Sequence, residues 1–154
     1  MLMNRVLLVV LLLLTVRCAW ARPNPVDIGP EATLRAFIHA FDNLDWDKFR
    51  SFFGDDATVF YPRGIARRAH GRAEIEDNFQ QVFTEIRGNR KQPPYMDLQP
   101  HDLHIQRFGD IAIATFHLDD RPGMVNRRTI VLHRVGDAWK IVHLHASEVA
   151  VAAK

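Results

Sequence analysis

The feature that most limits how this chain can fold is a change in hydrophobic period between Pro94 and Met96. Before it, apolar side chains recur every three to four residues. In EATLRAFIHAFDNLD, Leu34, Phe37, Ile38 and Phe41 fall at i, i+3, i+4 and i+7, one apolar stripe of a helix. Asn43-Leu44-Asp45 interrupts it, and Asp45 is placed to cap a short second helix, WDKFRSFF, with Trp46, Phe49, Phe52 and Phe53 on one face. DDATVFYP reads as a turn and a strand stopped by Pro62. GRAEIEDNFQQVFTEIRG is a third helix, striped by Ile75, Phe79, Val82, Phe83 and Ile86, with Gly88 at the expected C′ position.

After the loop NRKQPP the pattern alternates. MDLQPHDLHIQRF, DIAIATFHLDD, MVNRRTIVLHRV and AWKIVHLHASEVAV predict four successive strands, with turns near Gly109-Asp110, Arg121-Pro122-Gly123 and Gly136-Asp137. Helices followed by an antiparallel meander give the α+β class. The expected architecture is a cone-shaped barrel of three N-terminal helices packed on a curved, mostly antiparallel sheet. The open mouth of such a cone suits a small molecule.

The N-terminus has a different logic. Arg5 is followed by an apolar run from Val6 to Leu14, then by Ala19-Trp20-Ala21. A positive start, a short apolar core and an A-x-A site predict a signal peptide over 1–21, cut after Ala21, and a secreted or periplasmic protein. A membrane anchor needs about 20 apolar residues, and Arg17 ends this run early. Lipid attachment at Cys18 calls for a small residue before the cysteine, where Arg17 stands. Residues 22–30, rich in proline, read as an extended leader, and 31–154 as the domain.

Cleavage would leave 133 residues (154 less 21), enough for one domain. It would remove two of the 20 basic residues and none of the 18 acidic ones, so the remaining chain is formally neutral. No Lys/Arg stripe is left to hold a nucleic acid, and RGIARR reads as a solvated loop. The only cysteine, Cys18, lies in the leader, which excludes disulfides, thiolate metal sites and a cysteine nucleophile from the domain.

WKIVHLHAS raises the question of chemistry. A two-residue turn at Gly136-Asp137 pairs Leu132 with Ile141, Ile130 with His143 and Arg128 with His145. Trp139, Ile141, His143, His145 and Ser147 then share one face. A three-residue loop would instead bring Val131 and His133 beside the histidines. Neither register yields one plainly polar face, so both sides are expected to be covered, one by helices and the other by a partner subunit.

RRTIVLHRVGDAWKIVHLHAS resembles the end of the calcium/calmodulin-dependent protein kinase II association domain and its bacterial SnoaL-like relatives, in the nuclear transport factor 2-like superfamily. Thr129, His133-Arg134, Trp139, His143, His145 and Ser147 carry the match. FDNLDWDKFRSFFGDDATVFYP, Gly71 and PHDLHIQRFGDIAIATFHL resemble earlier parts more loosely. The resemblance implies helices wrapped by a curved sheet, usually in dimers or larger assemblies. It implies little about activity, because fold is not function. The arginines that the kinase domain places in its pocket are replaced here by His117 and Ile130; Arg128 is the nearest substitute.

The residues expected to line a pocket are therefore Tyr61, His117, Arg128, Ile130, His143 and His145. Imidazoles titrate near neutrality and can move protons, and a tyrosine can donate to a developing oxyanion. His117, His143 and Tyr61 are the catalytic candidates. No carboxylate is read mid-strand in the last three strands, so an aspartate base is unsupported. His143 and His145 stand roughly 6.5–7 Å apart along a strand face and, with His117, could reach a zinc ion; hydrogen-bonded pocket histidines are the preferred reading, with no metal and no cofactor. The functional expectation is an exported small-ligand binder, a homodimer or higher oligomer, free of nucleic acid and of membrane after cleavage. The alternative is an acid/base enzyme of isomerase, cyclase or dehydratase type using pocket histidines.

Overall fold

The computed structural model describes residues 28–65, 67–89, 91–121 and 123–151; the signal peptide and most of the leader expected from the sequence lie outside them. Helix α1 spans Pro30–Asp42, one residue earlier than the leader boundary allowed, because Pro30 supplies a pre-set φ at the first turn after Gly29. The side chain of Asp45 accepts from the Lys48 backbone N–H at 3.3 Å and caps α2, Trp46–Ser51. Strand β1 (Phe53–Phe60) leads through a loop to a two-residue strand that the sequence did not reveal, β2 (Ala69–His70). Gly71 takes φ +81°, a backbone turn open to glycine, just before α3 (Arg72–Asn89). Gly88 is inside α3, not beyond its end. No helix among the described residues is long and apolar enough to cross a membrane.

Strands β3 (Pro100–Phe108), β4 (Ile111–Arg121), β5 (Met124–Val135) and β6 (Ala138–Ala150) form the expected meander. The sheet order is β2-β1-β6-β5-β4-β3; β1 runs parallel to β6 and every other pair is antiparallel. The chain is thus α+β, three helices on a curved, unclosed sheet. Phe49 anchors the interior, with ring centroids 5.1 Å from Phe37, 4.7 Å from Phe79 and 5.0 Å from Phe83. Aromatic pairs of this kind add about 0.5–1.5 kcal/mol each beyond burial, so α1, α2 and α3 are fastened at one point.

The hairpin at Gly136 begins in the expected register. Gly136 has φ +61°, Val135 faces Ala138, and Leu132 faces Ile141. The next pair is Val131 with His143, which leaves Val142 as an extra residue in β6. Such a bulge reverses which side chains face the core, because side chains alternate with period two. Trp139 and Ile141 are buried before it; Leu144 and Ala146 are buried after it, at 7% and 5% exposure. The bulge lies against Gly54 of β1: a Cβ there would be 3.7 Å from Val142 Cγ1, an ordinary contact.

Candidate functional site

The bulge corrects the expected site. Ile130 faces Leu144 and Arg128 faces Ala146, whereas His143 faces Val131 and His145 faces Thr129. The six residues expected around one pocket divide between two faces. Tyr61, Arg128 and Ile130 belong to the helix-covered side. His143 and His145 belong to the outer side, as does His117, which alternates with the buried Phe116 and Leu118 of β4.

On the outer side, β1 contributes Thr58, between the fully buried Ala57 and Val59. Its hydroxyl is 2.8 Å from His143 Nδ1. Phe60 is 39% exposed, and its ring centroid lies 6.0 Å from that of His143 and 5.4 Å from that of His145. Burial holds His143 below the ordinary imidazole value, with His145 and then Arg68 adding repulsion. His117 Nδ1 stands 3.9 Å from Asp102 Oδ2 at the edge of the sheet. Among the described residues, no group of three or more His, Cys, Asp or Glu is placed to hold a metal ion.

The helix-covered side carries a different polar group. Tyr61 follows β1 and packs its ring on Phe79 of α3, centroids 5.2 Å apart. Its hydroxyl is buried without a hydrogen-bond partner; Asn78 approaches it without closing a bond. Burial pushes the phenol well above its ordinary value, the Asn78 side chain pulls the other way, and the Glu74 carboxylate adds to the rise. Tyr61 is therefore a neutral donor.

Phe60 pairs with His145, so continuing the β1–β6 register sets Tyr61 beside Ala146. Two residues further along the same face of β6 is Glu148, only 13% of whose side chain is exposed, with Arg63 Nη1 3.5 Å from its Oε1. Glu148 pairs across β5 with Asn126, which is fully buried. Arg128 is the next residue of β5 on this side. The sequence reading missed Asn126 and Glu148, and its statement that the last strands hold no such carboxylate is corrected by Glu148. Stepping by two from Leu144 through Ala146 reaches Glu148, but only once the bulge is known. The surface depression on α3, lined by Asp77, Gln80, Gln81, Thr84 and Glu85, is on that helix's solvent side and away from these groups.

Chemically, the helix-covered side combines a buried neutral donor, a buried amide, a guanidinium and a carboxylate in an apolar wall of Phe116, Leu118, Ile130 and Ala146. Small-molecule sites are built from an apolar wall with a few polar groups.

Comparisons with known proteins agree with the fold. A candidate calcium/calmodulin-dependent protein kinase type II association domain from Thiobacillus denitrificans superposes with TM-score 0.61 at 28% identity, covering 78% of this chain and 94% of that one. The CaMKII hub of S. rosetta gives TM-score 0.57 at 23% identity, with 79% and 98% covered. A candidate ketosteroid isomerase from Parabacteroides distasonis gives 0.62 at 22% identity, with 78% and 87% covered. No curated protein sequence matches. The model of the SnoaL-like domain matches residues 31–152, and the chain belongs to that family.

Proposed function

We propose that this SnoaL-like protein is exported and binds a small organic molecule on the helix-covered side of its sheet, as a homodimer or larger homo-oligomer. The A-x-A segment at Ala19–Ala21 supports export. The observation that carries the binding reading is the buried Tyr61 hydroxyl, which Asn78 approaches but which closes no hydrogen bond. An unsatisfied buried hydroxyl costs about 1–3 kcal/mol, and a ligand carbonyl or hydroxyl oxygen would recover that cost. Asn126, Arg128 and Glu148 supply further polar groups on the same side, and Ile130 contributes apolar wall. Native mass spectrometry of protein purified from its own host tests this. A retained small molecule is expected in wild type and is expected to be depleted in Tyr61→Phe. Failure of both proteins to retain or take up any small molecule defeats the reading. N-terminal sequencing of the exported chain is expected to begin at Arg22.

A second reading, acid/base catalysis, draws support from Glu148. A carboxylate shielded from water on the same face as a neutral phenol has the parts for moving a proton next to a polarised oxygen. The candidates for this are Glu148 and Tyr61. His117 and His143 face the other way and have no part in it. Glu148→Gln separates the two readings: a binder keeps its ligand, whereas an enzyme keeps the ligand and loses turnover.

A further inference from the structure

The segment between α3 and β3 is anchored at both of its ends on the helix-covered side. At one end the Tyr95 N–H donates to the Asp42 carbonyl oxygen at 2.8 Å, and the Met96 N–H donates to Asp42 Oδ1 at 2.9 Å. At the other end Pro100 opens β3 opposite Leu118. Leu118 faces Asn126, and Asn126 faces Glu148. One cross-strand row therefore runs from the end of the segment to the polar groups of the ligand site. Between the anchors, residues 95–99 have no regular secondary structure, and Tyr95 and Leu98 are half-buried against the core. Asp97, exposed at φ +54°, turns the chain between them. The stretch from Met96 to Pro100 reaches at most about 14 Å, enough to cross the width of one helix, roughly 10–12 Å, and little more.

Asp42 is poorly suited to its own helix. It is the last residue of α1, where the partial negative charge of the helix end disfavours a carboxylate. What the carboxylate gains there is the Met96 N–H, on a segment 54 positions away. The tie is also close to the ligand site. Phe41, the residue before Asp42, has its ring centroid 5.8 Å from that of Phe79, and Phe79 lies 5.2 Å from Tyr61. Two ring contacts thus connect the tie to the buried phenol.

We propose that residues 95–99 form a lid over the ligand site, latched by Asp42, and that a ligand enters and leaves when the latch opens. The proposal rests on the ligand-site reading above and adds its gate. A latched lid limits rates more than affinity, because opening serves entry and exit alike. A backbone N–H bonded to a carboxylate is a charge-assisted bond. Removing that acceptor raises the open fraction by about 10- to 100-fold. The Tyr95 bond to the Asp42 carbonyl is untouched by a side-chain change, so Tyr95 reports on the lid and not on the substitution itself.

Stopped-flow fluorescence with naphthol, an apolar fluorophore carrying one hydroxyl oxygen, tests the gate in wild type, Asp42→Ala and Asp42→Asn of the exported protein. Asp42→Ala is expected to bind and release naphthol about tenfold faster or more, with Kd close to unchanged. Asp42→Asn, whose amide oxygen can still accept from Met96, is expected to stay near wild type. Equal rates in wild type and Asp42→Ala overturn the lid and leave the ligand site standing. Weaker binding at an unchanged association rate also overturns it, because the segment is then wall and not gate. No naphthol binding by any of the three overturns the ligand-site reading and the lid with it. Hydrogen exchange of wild type gives a readout that needs no variant: naphthol must slow exchange at the Tyr95 and Met96 amides together. In Asp42→Ala the Tyr95 amide must exchange about tenfold faster or more. An unchanged Tyr95 amide in either comparison overturns the proposal.

Discussion

Replacing Tyr61 by phenylalanine is expected to stabilise the ligand-free protein while weakening its ligand. The ring packs on Phe79 at 5.2 Å, and phenylalanine keeps that contact. What is lost is a hydroxyl that is buried and makes no hydrogen bond. Leaving such a group unsatisfied costs about 1–3 kcal/mol, whereas a satisfied one contributes about 0.5–1.5 kcal/mol. Asn78 is close enough to recover part of that cost, so the expected gain is near the lower bound, about 1 kcal/mol. In a domain of this size that raises Tm by roughly 3–5 °C. Urea unfolding of both proteins at neutral pH, stripped of ligand, measures it. The pH dependence gives a second sign to check. The folded phenol is held above its unfolded value, so its contribution is complete below about pH 10 and is lost as the unfolded chain ionises above it. The wild type should therefore lose stability above pH 10 more steeply than Tyr61→Phe. If the variant is instead destabilised by about 1 kcal/mol or more, the hydroxyl is bonded in the free protein, and the reason for assigning a ligand to it disappears.

Phe49→Ala should cost about 3–5 kcal/mol, because it removes the ring that α1, α2 and α3 share and leaves a cavity in the middle of them; chemical denaturation reads it, and a loss under 2 kcal/mol would mean the helices collapse around the gap. Deleting Val142 makes His143 follow Ile141 directly, so unbroken alternation keeps Ile141, Leu144 and Ala146 inward and His143 and His145 outward; the expected result is a variant that still unfolds cooperatively, and loss of the cooperative transition would show that Val142 is not simply an extra residue in the ladder.

How much of this was legible in the sequence depends on how local the cause was. Helices α1, α2 and α3 were readable because Phe37, Phe49 and Phe79 recur at helical spacing beside capping and turn residues, and those signals act within a few positions. The β5–β6 register was readable as far as Leu132 and Ile141, since the turn at Gly136 fixes it there. Beyond that the sequence had no means of placing the extra residue. Val142 is as good a strand residue as its neighbours, and the strand it lies against at Gly54 is 88 positions earlier in the chain. The pocket reading inherited that error. Tyr61, Arg128 and Ile130 stayed on the helix side, while the three histidines did not.

The same bulge explains why the faces look mixed in the sequence and separate in the structure. Before Val142 the odd-numbered positions of β6 are apolar and inward, Trp139 and Ile141; after it the even-numbered ones are, Leu144 and Ala146. A strand read with one parity throughout must therefore show polar and apolar residues on both sides. Read with the change of parity, the inner side runs from Trp139 through Leu144 to Glu148, apolar until its far end. The outer side gathers the imidazoles against Thr58 and Phe60 of β1. The two sets of polar groups are then under opposite constraints. Tyr61, Asn126 and Glu148 are shielded from water; Arg63 stands 3.5 Å from Glu148, while the Tyr61 hydroxyl closes no hydrogen bond. His143 and His145 lie on the uncovered side, where the Thr58 hydroxyl stands 2.8 Å from His143 Nδ1 and Phe60 packs beside both rings.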